Sequence, residues 1–301
     1  MKKFLIPLLI IMVGLAYSGC TSTTPTTPGT AGIYKYSLKF GTLGSGNGQL
    51  NNPRGITVDS TGNIYVADYG NNRVEKFDSA GTYVSQWTSN SPMGMATDSA
   101  GNIYVCDPGG SFVTKFNATG TTLATFGSGT LLDPQAVGVD SAGNVYVDDT
   151  GNTRIVKFSA AGALITQWGT TGADNGEFVR PYGVAVDNLG NVFVADFTNI
   201  RIQKFTTAGA YILQWGNTSS NNGPFVSPVA VTTDIAGDVF VVDEGNNKVQ
   251  EFNNAGTYLT QFGAYGTGNG DFNGPTAVAV DASGNVYVTD YGNNRVEKFI
   301  P

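Results

Sequence analysis

The side chains in this sequence that could do chemistry are mostly carboxylates, and they recur. Asp59, Asp98, Asp140, Asp187, Asp234 and Asp281 are each followed nine residues later by a second aspartate, at 68, 107, 149, 196, 243 and 290. Paired carboxylates at fixed spacing could hold a divalent cation through oxygen, which suits calcium, or divide acid and base work between them. Sixfold repetition points instead to a scaffold, because a reaction needs only one such pair. A cation stands five residues beyond the second aspartate in Asp68/Arg73, Asp149/Arg154, Asp196/Arg201, Asp243/Lys248 and Asp290/Arg295. The aspartate is therefore expected to cap a turn with the cation lying across it, a pair worth about 0.5 to 2 kcal/mol to the fold. The 301 residues contain no histidine, which removes the commonest general base and zinc ligand and every Ser-His or Cys-His nucleophile pair. Cys106 occupies a column filled elsewhere by Ala67, Asp148, Ala195, Val242 and Thr289 and reads as a small, half-buried strand residue. The glycine-rich stretch 44–48 has no helix after it, so it is not a phosphate cradle.

The elements that carry these residues are six copies of one repeat. The first aspartate returns at spacings of 39, 42, 47, 47 and 47 residues while the second stays nine residues away, so a rigid unit is joined by loops of differing length. Within each unit apolar and polar residues alternate over short runs broken by Asp, Asn and Gly, the signature of four antiparallel strands and no helix. Four strands in each of six units predict an all-β, six-bladed propeller. Three aromatic columns run through it, one from Tyr65 to Tyr287, one from Phe77 to Phe299 and one from Trp87 to Phe262; they are expected to pack blade against blade. The last repeat stops at Phe299-Ile300-Pro301 without a fourth strand, whereas residues 34–40 read as one ahead of the first repeat. That N-terminal strand is expected to close the ring, with Phe40 in the vacant aromatic slot. Residues 34–301 then form one domain.

Pro-x-Gly-Ile-x-Val-Asp, Gly-Asn-Ile-Tyr-Val-Ala-Asp, Asn-x-Arg-Val-x-Lys-Phe and Gly-x-Tyr-Val-x-Gln-Trp together resemble the NHL repeat family of propellers. The resemblance implies the propeller fold and leaves function open, since the family includes protein-binding and RNA-binding domains, sensor modules, and amidating and streptogramin lyases. Those lyases rely on histidine, and no position here can inherit that role. A divalent-metal-dependent hydrolase or lyase of the six-bladed kind, with calcium as the ion that oxygen ligands would suit, is the alternative to a binding or scaffold module. RNA binding is a poor expectation: Lys+Arg 16 against Asp+Glu 23 give a net charge of −7, and most of the cations stand at repeated positions, leaving no basic patch.

Recognition should lie where the repeats disagree. After each repeat proline stand Arg54, Met93, Gln135, Tyr182, Val229 and Thr276, followed by the uniformly small Gly55, Gly94, Ala136, Gly183, Ala230 and Ala277. Six different residues in one slot at one mouth of a channel suggest a rim that binds a protein, glycan or small-molecule ligand. Arg54, Met93, Gln135, Tyr182 and Thr276, with Arg180 and Glu177, are the ligand-binding candidates. Glu244, Asp271 and Asp148 depart from the repeat near the same face. No catalytic or metal-binding residue is assigned, no cofactor is expected, and the domain is expected to be monomeric.

The N-terminus is an address. Lys2 and Lys3 precede a 14-residue apolar run, Phe4 to Tyr17, too short to span a bilayer and typical of a signal-peptide core. Ser18-Gly19-Cys20 resembles the bacterial and archaeal lipobox, with Tyr17 departing from its usual Leu or Val. Residues 1–19 are read as a lipoprotein signal peptide, Cys20 as the lipidation site, and 20–33 as a Thr/Pro-rich tether. The expected location is the cell surface or periplasm-facing envelope, held to the membrane only through the lipid.

Overall fold

The computed structural model describes residues 33–216 and 224–301. Cys20, the segment 1–19 and the tether up to residue 32 lie outside the described residues. The described chain forms six four-stranded antiparallel sheets. Blade 1 comprises Pro53–Val58, Ile64–Asp68, Arg73–Phe77 and Tyr83–Thr88, and blades 2 to 5 repeat that order. Blade 6 takes Pro275–Val280, Val286–Asp290 and Arg295–Ile300 from the C-terminus and Lys35–Phe40 from the N-terminus, paired antiparallel from Lys35↔Ile300 to Phe40↔Val296. The first strand of each blade touches the first strands on both sides, and the cycle returns from Pro275–Val280 to Pro53–Val58.

Each repeat's first aspartate organises the turn between its first two strands. Asp59 Oδ1 accepts from the Thr61 and Asn63 amides at 2.9 and 3.0 Å, and Oδ2 accepts from Asn63 Nδ2 at 2.8 Å and the Tyr65 hydroxyl at 2.9 Å. Burial pushes this carboxyl up, but the hydrogen bonds from Thr61, Asn63 and Tyr65 outweigh it and hold the pKa below the ordinary value. Tyr104, Tyr146 and Tyr287 repeat the contact with Asp98, Asp140 and Asp281. A second column stitches the blades: the aromatic of one fourth strand packs on the third-strand Phe of the next. Trp87 meets Phe116 at 5.8 Å between ring centroids, Trp168 meets Phe205 at 5.9 Å, and Phe40 meets Phe77 at 4.7 Å.

Four expectations need correction. The turns after the second aspartate hold single 3-10 turns, such as Tyr69–Asn71 and Glu244–Asn246, where no helix was expected. The aspartate does not cap that turn with its side chain. Instead Asp68 Oδ1 accepts from the Asn51 amide at 2.7 Å and Oδ2 from Asn71 Nδ2 and Arg73 Nε, both at 2.7 Å. Asp243/Lys248 makes no ion pair among the described residues; Gln250 Nε2 donates to Asp243 at 3.1 Å instead. Cys106 is wholly rather than half buried, and burial, with Asp148 beside it, raises its thiol pKa well above the ordinary value.

Blade 5 breaks the repeated lysine column with Glu251. Lys157 and Lys298 donate to the carbonyls of Thr207 and Ser79, each in the hairpin between the last two strands of the following blade. Blade 6 has no such hairpin, because its last two strands come from opposite ends of the chain. Glu251 instead accepts from the Tyr34 hydroxyl at 3.4 Å. Burial, reinforced by Asp238 and Asp234, pushes its carboxyl up to about 7. A raised carboxyl favours the protonated folded state, so its contribution is complete below about pH 4.5 and is lost as pH rises through about 7. Glu251→Gln is therefore expected to match the parent in urea denaturation at pH 4.5 and to exceed it by about 1 to 2 kcal/mol at pH 8, after discounting for partial solvation. Equal stability differences at both pH values would remove Glu251 as the source.

Candidate functional site

One mouth of the central channel holds a cavity of about 200 Å³ that receives a side chain from every blade. The local cause is a β-bulge. In blades 1, 3, 4, 5 and 6 the repeat proline pairs with the second aspartate, as in Pro181↔Asp196, and the register then slips before pairing resumes. The residue after the proline is left out of the ladder and turned toward the axis, the usual effect of a bulge. The small residue that follows lets neighbouring blades approach: a Cβ on Gly55 would stand 2.1 Å from the Met93 carbonyl oxygen, and one on Gly94 2.5 Å from that of Gln135.

The second aspartates anchor the rim. Asp196 Oδ1 accepts from the Val179 amide at 2.8 Å, three residues before Tyr182, and Asp149 accepts from the Leu132 amide at 2.6 Å, three residues before Gln135. The scaffold carboxylate thus fixes the loop that delivers the rim side chain. Arg201 completes the arrangement, donating from Nε to Asp196 at 2.8 Å and from its terminal nitrogens to the carbonyls of Ala173, Asp174 and Glu177 at 2.7, 3.0 and 2.8 Å.

Arg54, Met93, Gln135, Arg180, Tyr182 and Thr276 all line the cavity, as does Glu244. Glu177 does not. It belongs to the loop that wraps Arg201, where its carboxylate accepts from the Asp174 amide at 3.0 Å. Asp271 belongs to the equivalent loop around Arg295, its carbonyl accepting from that guanidinium at 2.8 Å. Asp148 is fully buried off the cavity, and burial raises its carboxyl well above the ordinary range. Thr276 faces the cavity, but its hydroxyl already donates to the Arg54 carbonyl at 3.0 Å and ties blade 6 to blade 1.

Two guanidinium–aromatic units face each other from opposite sides of the ring. On the blade 1 side the Arg54 guanidinium carbon lies 4.2 Å from the Tyr291 ring centroid and 5.7 Å from that of Tyr69. On blade 4, Arg180 lies 5.4 Å from Tyr182 and 5.8 Å from Phe197 and donates to the Tyr182 hydroxyl at 3.2 Å, while the two rings stand 5.3 Å apart. Such contacts fix flexible cations over ring faces. Sequence reasoning missed Tyr69, Phe197 and Tyr291. The available signal was the slot directly after the second aspartate, where Tyr69, Pro108, Thr150, Phe197, Glu244 and Tyr291 show five residue types against six after the prolines.

Glu244 is the only carboxylate among the described residues lining the cavity. Burial raises its pKa and Arg54 partly offsets the rise. Below the rim, Ile56, Met95, Val137, Val184, Val231 and Val278 border both this cavity and the opening at the other end of the channel. All six are buried. They form an apolar collar, one residue from each blade. The mouth can accept hydrogen bonds, stack flat groups and bury apolar ones. It lacks a second carboxylate for acid–base work, and among the described residues no three Cys, Asp or Glu side chains gather as a ligand set. The donor set does not fit a calcium ion, which takes six to eight oxygens.

The NHL repeat family matches residues 50–77, 178–205 and 272–299, in blades 1, 4 and 6. The chain is 40% identical over 81 residues to Protein lin-41 of Caenorhabditis elegans and 44% identical over 52 residues to E3 ubiquitin-protein ligase TRIM71 of Mus musculus. These stretches are 26% and 17% of this chain but only 7% and 6% of those proteins. Among solved structures, the chain resembles a structural genomics protein of unknown function from Bacteroides thetaiotaomicron, with a TM-score of 0.72 at 16% identity, covering 87% of this chain and 76% of that one. It resembles a streptogramin B lyase with a TM-score of 0.62 at 17% identity, covering 89% and 98%. A catalytically inactive His-to-Ala form of virginiamycin B lyase from Staphylococcus aureus, with quinupristin, aligns with a TM-score of 0.59 at 15% identity, covering 83% and 80%. These likenesses to solved structures concern the fold. The chain carries three NHL repeats in a six-bladed, all-β propeller.

Proposed function

We propose that this propeller is a lipid-anchored, envelope-exposed binding module that captures a protein, glycan or small ligand at the mouth lined by Arg54, Gln135 and Tyr182. One observation carries the reading: a cavity lined from all six blades is ringed by six different residues in the slot after each repeat proline and flanked by two guanidinium–aromatic units, while the scaffold around it repeats. Buried aromatics and arginines dominate binding energetics in well-packed sites. The lipid anchor rests on Ser18-Gly19-Cys20 after the apolar run, and its check is release of a Cys20→Ser form into the soluble fraction. A lyase reading would need a proton shuttle. The virginiamycin B lyase relative is inactive in its His-to-Ala form, and this chain has no histidine.

The rim is tested by replacing Arg54, Gln135 and Tyr182 together with Ala. A partner recovered from surface extracts with the parent chain is expected to lose at least a hundredfold in affinity by isothermal titration, since hot-spot truncations cost about 2 kcal/mol or more each. The variant should melt within a few degrees of the parent, because none of the three belongs to an aromatic column or an Asp/Arg pair. A Lys248→Ala form, altered at a cation with no ion pair among the described residues, should bind normally. Retained binding by a folded triple variant would move the site elsewhere.

A further inference from the structure

The chain has six arginines. Arg73, Arg154, Arg201 and Arg295 are ion-paired to aspartates, and Arg180 donates to Tyr182. Arg54 alone has no hydrogen-bond acceptor for its guanidinium among the described residues, and its Nε is buried without a partner. Its guanidinium carbon lies over the Tyr291 and Tyr69 rings, and its terminal N–H groups have no acceptor among the described residues, which leaves them for recognition. A guanidinium edge matches the two oxygens of a planar carboxylate. On the same cavity wall, Glu244 offers the complementary gap. It follows the Asp243 hub of blade 5, its carboxylate leans over Gly274 of blade 6, 3.8 Å from where a Cβ would stand there, and it makes no side-chain hydrogen bond or ion pair among the described residues. Arg54 and Glu244 are close enough for Arg54 to lower the Glu244 pKa. Yet they do not form an ion pair with each other. A cation and an anion held on one wall, separated and unpaired, above an apolar collar, describe a receptor for a ligand with the reverse arrangement.

We propose that the mouth takes a small zwitterion of the α-amino-acid type. Its carboxylate sits on the Arg54 edge, its ammonium on Glu244, and its apolar side chain lies against Met93 and Val229 toward the collar. This rests on the mouth being a binding site and adds the chemistry it selects. The pairing also explains why neither charge is neutralised by the scaffold, although each buried arginine, Arg73, Arg201 and Arg295, is. A dianionic phosphate fits less well, because Glu244 faces the position its second charge would occupy. The cavity, about 200 Å³, admits one amino acid and not a folded loop.

The test removes each charge once from the ligand and once from the protein. The full chain, in detergent micelles, is titrated by calorimetry with L-phenylalanine, L-phenylalaninamide, which lacks the carboxylate, and N-acetyl-L-phenylalanine, which lacks the ammonium. L-Phenylalanine is expected to bind at least tenfold more tightly than either derivative. Arg54→Met keeps the aliphatic stem and should abolish the preference over the amide while keeping the preference over the N-acetyl compound. Glu244→Gln should do the converse. Melting curves of both variants should lie within a few degrees of the parent, since neither side chain has a hydrogen bond to lose among the described residues and Arg54 gives up only its contacts with Tyr291 and Tyr69. If all three compounds bind the parent with equal affinity, the mouth is a binding site that does not read charge, and the zwitterion proposal falls alone. If L-phenylalanine does not bind the parent at all, the zwitterion proposal falls, and the triple rim variant decides separately whether the mouth binds anything.

Discussion

Deleting residues 34–40 is expected to abolish the folded monomer. The deletion removes the outer strand of blade 6 and with it the pairing from Lys35↔Ile300 to Phe40↔Val296. It also removes four aromatic contacts made by three rings: Tyr34 on Phe240 at 5.8 Å and on Phe262 at 5.0 Å, Tyr36 on Phe299 at 6.4 Å, and Phe40 on Phe77 at 4.7 Å. Only the last joins blade 6 to blade 1. Truncating one buried Phe costs about 3 to 5 kcal/mol, so losing three aromatics and a ladder reaches the whole stability of an ordinary domain, about 5 to 15 kcal/mol. The strand Arg295–Ile300 would become an unprotected edge, a template for pairing with another chain. Size-exclusion chromatography should show aggregates, and calorimetry should show no cooperative transition near the parent's. Phe40→Ala, which keeps the ladder, should fold with a loss of about 3 to 5 kcal/mol. A deletion variant that remains monomeric and melts with the parent would refute the role given to this strand.

Asp196→Ala is expected to be the most damaging single replacement of a polar residue. The sequence suggested a turn pair worth about 0.5 to 2 kcal/mol, but the geometry raises that figure. Asp196 is fully buried, and Arg201 has only 4% of its side chain exposed. Removing the carboxylate leaves the guanidinium buried without its counter-charge, a change that typically costs about 3 to 5 kcal/mol. The Val179 amide and Asn199 Nδ2 lose their acceptor as well. Replacing both partners with apolar residues, which is often neutral for an isolated buried pair, should not rescue stability here. The carbonyls of Ala173, Asp174 and Glu177 would still lack the donor that Arg201 provides. Asp243→Ala makes the comparison, because no ion pair is broken there. It should cost about 1 to 3 kcal/mol, the penalty for the Val226 and Ser227 amides it leaves unpaired. Urea denaturation of the two variants should rank them in that order, and a loss below about 1 kcal/mol for Asp196→Ala would reduce the pair to a surface bridge.

The fold was legible because its determinants are repeated. A column such as Trp87, Phe126, Trp168 and Trp215 shows its packing role through recurrence, and the period of two shows each strand through alternation. The rim was legible for the complementary reason, since a slot that varies inside a constant frame is free of the frame's packing demands. What the sequence did not carry was the hydrogen-bonding state of each variable side chain. Glu177 and Thr276 vary as much as Arg54, but Glu177 folds back onto its own loop and Thr276 bridges to a neighbouring backbone carbonyl. The Arg54 guanidinium stays without an acceptor among the described residues. Tyr69, Phe197 and Tyr291 were hidden because each looked like the opening residue of a turn. Only the ring brings Tyr291 and Arg54, which are 237 positions apart in the numbering, into one stack. Variation locates a position; the contacts across blades decide its use.

The apolar collar bears on how such a protein can change. Each blade contributes one collar residue, from Ile56 through Val278, and all are buried. Widening the floor therefore requires changes in several blades at once, because one smaller side chain opens a void that its five neighbours are not shaped to fill. The rim above is less constrained, Thr276 and Arg54 being the positions tied to an adjoining blade. A rim residue such as Met93 or Val229 can be exchanged without asking anything of the residue across the channel. Adaptation is thereby split into two tempos: a floor locked by sixfold consent, and a rim on which each blade explores new side chains on its own. On the proposed binding role, new specificities are reached one rim substitution at a time.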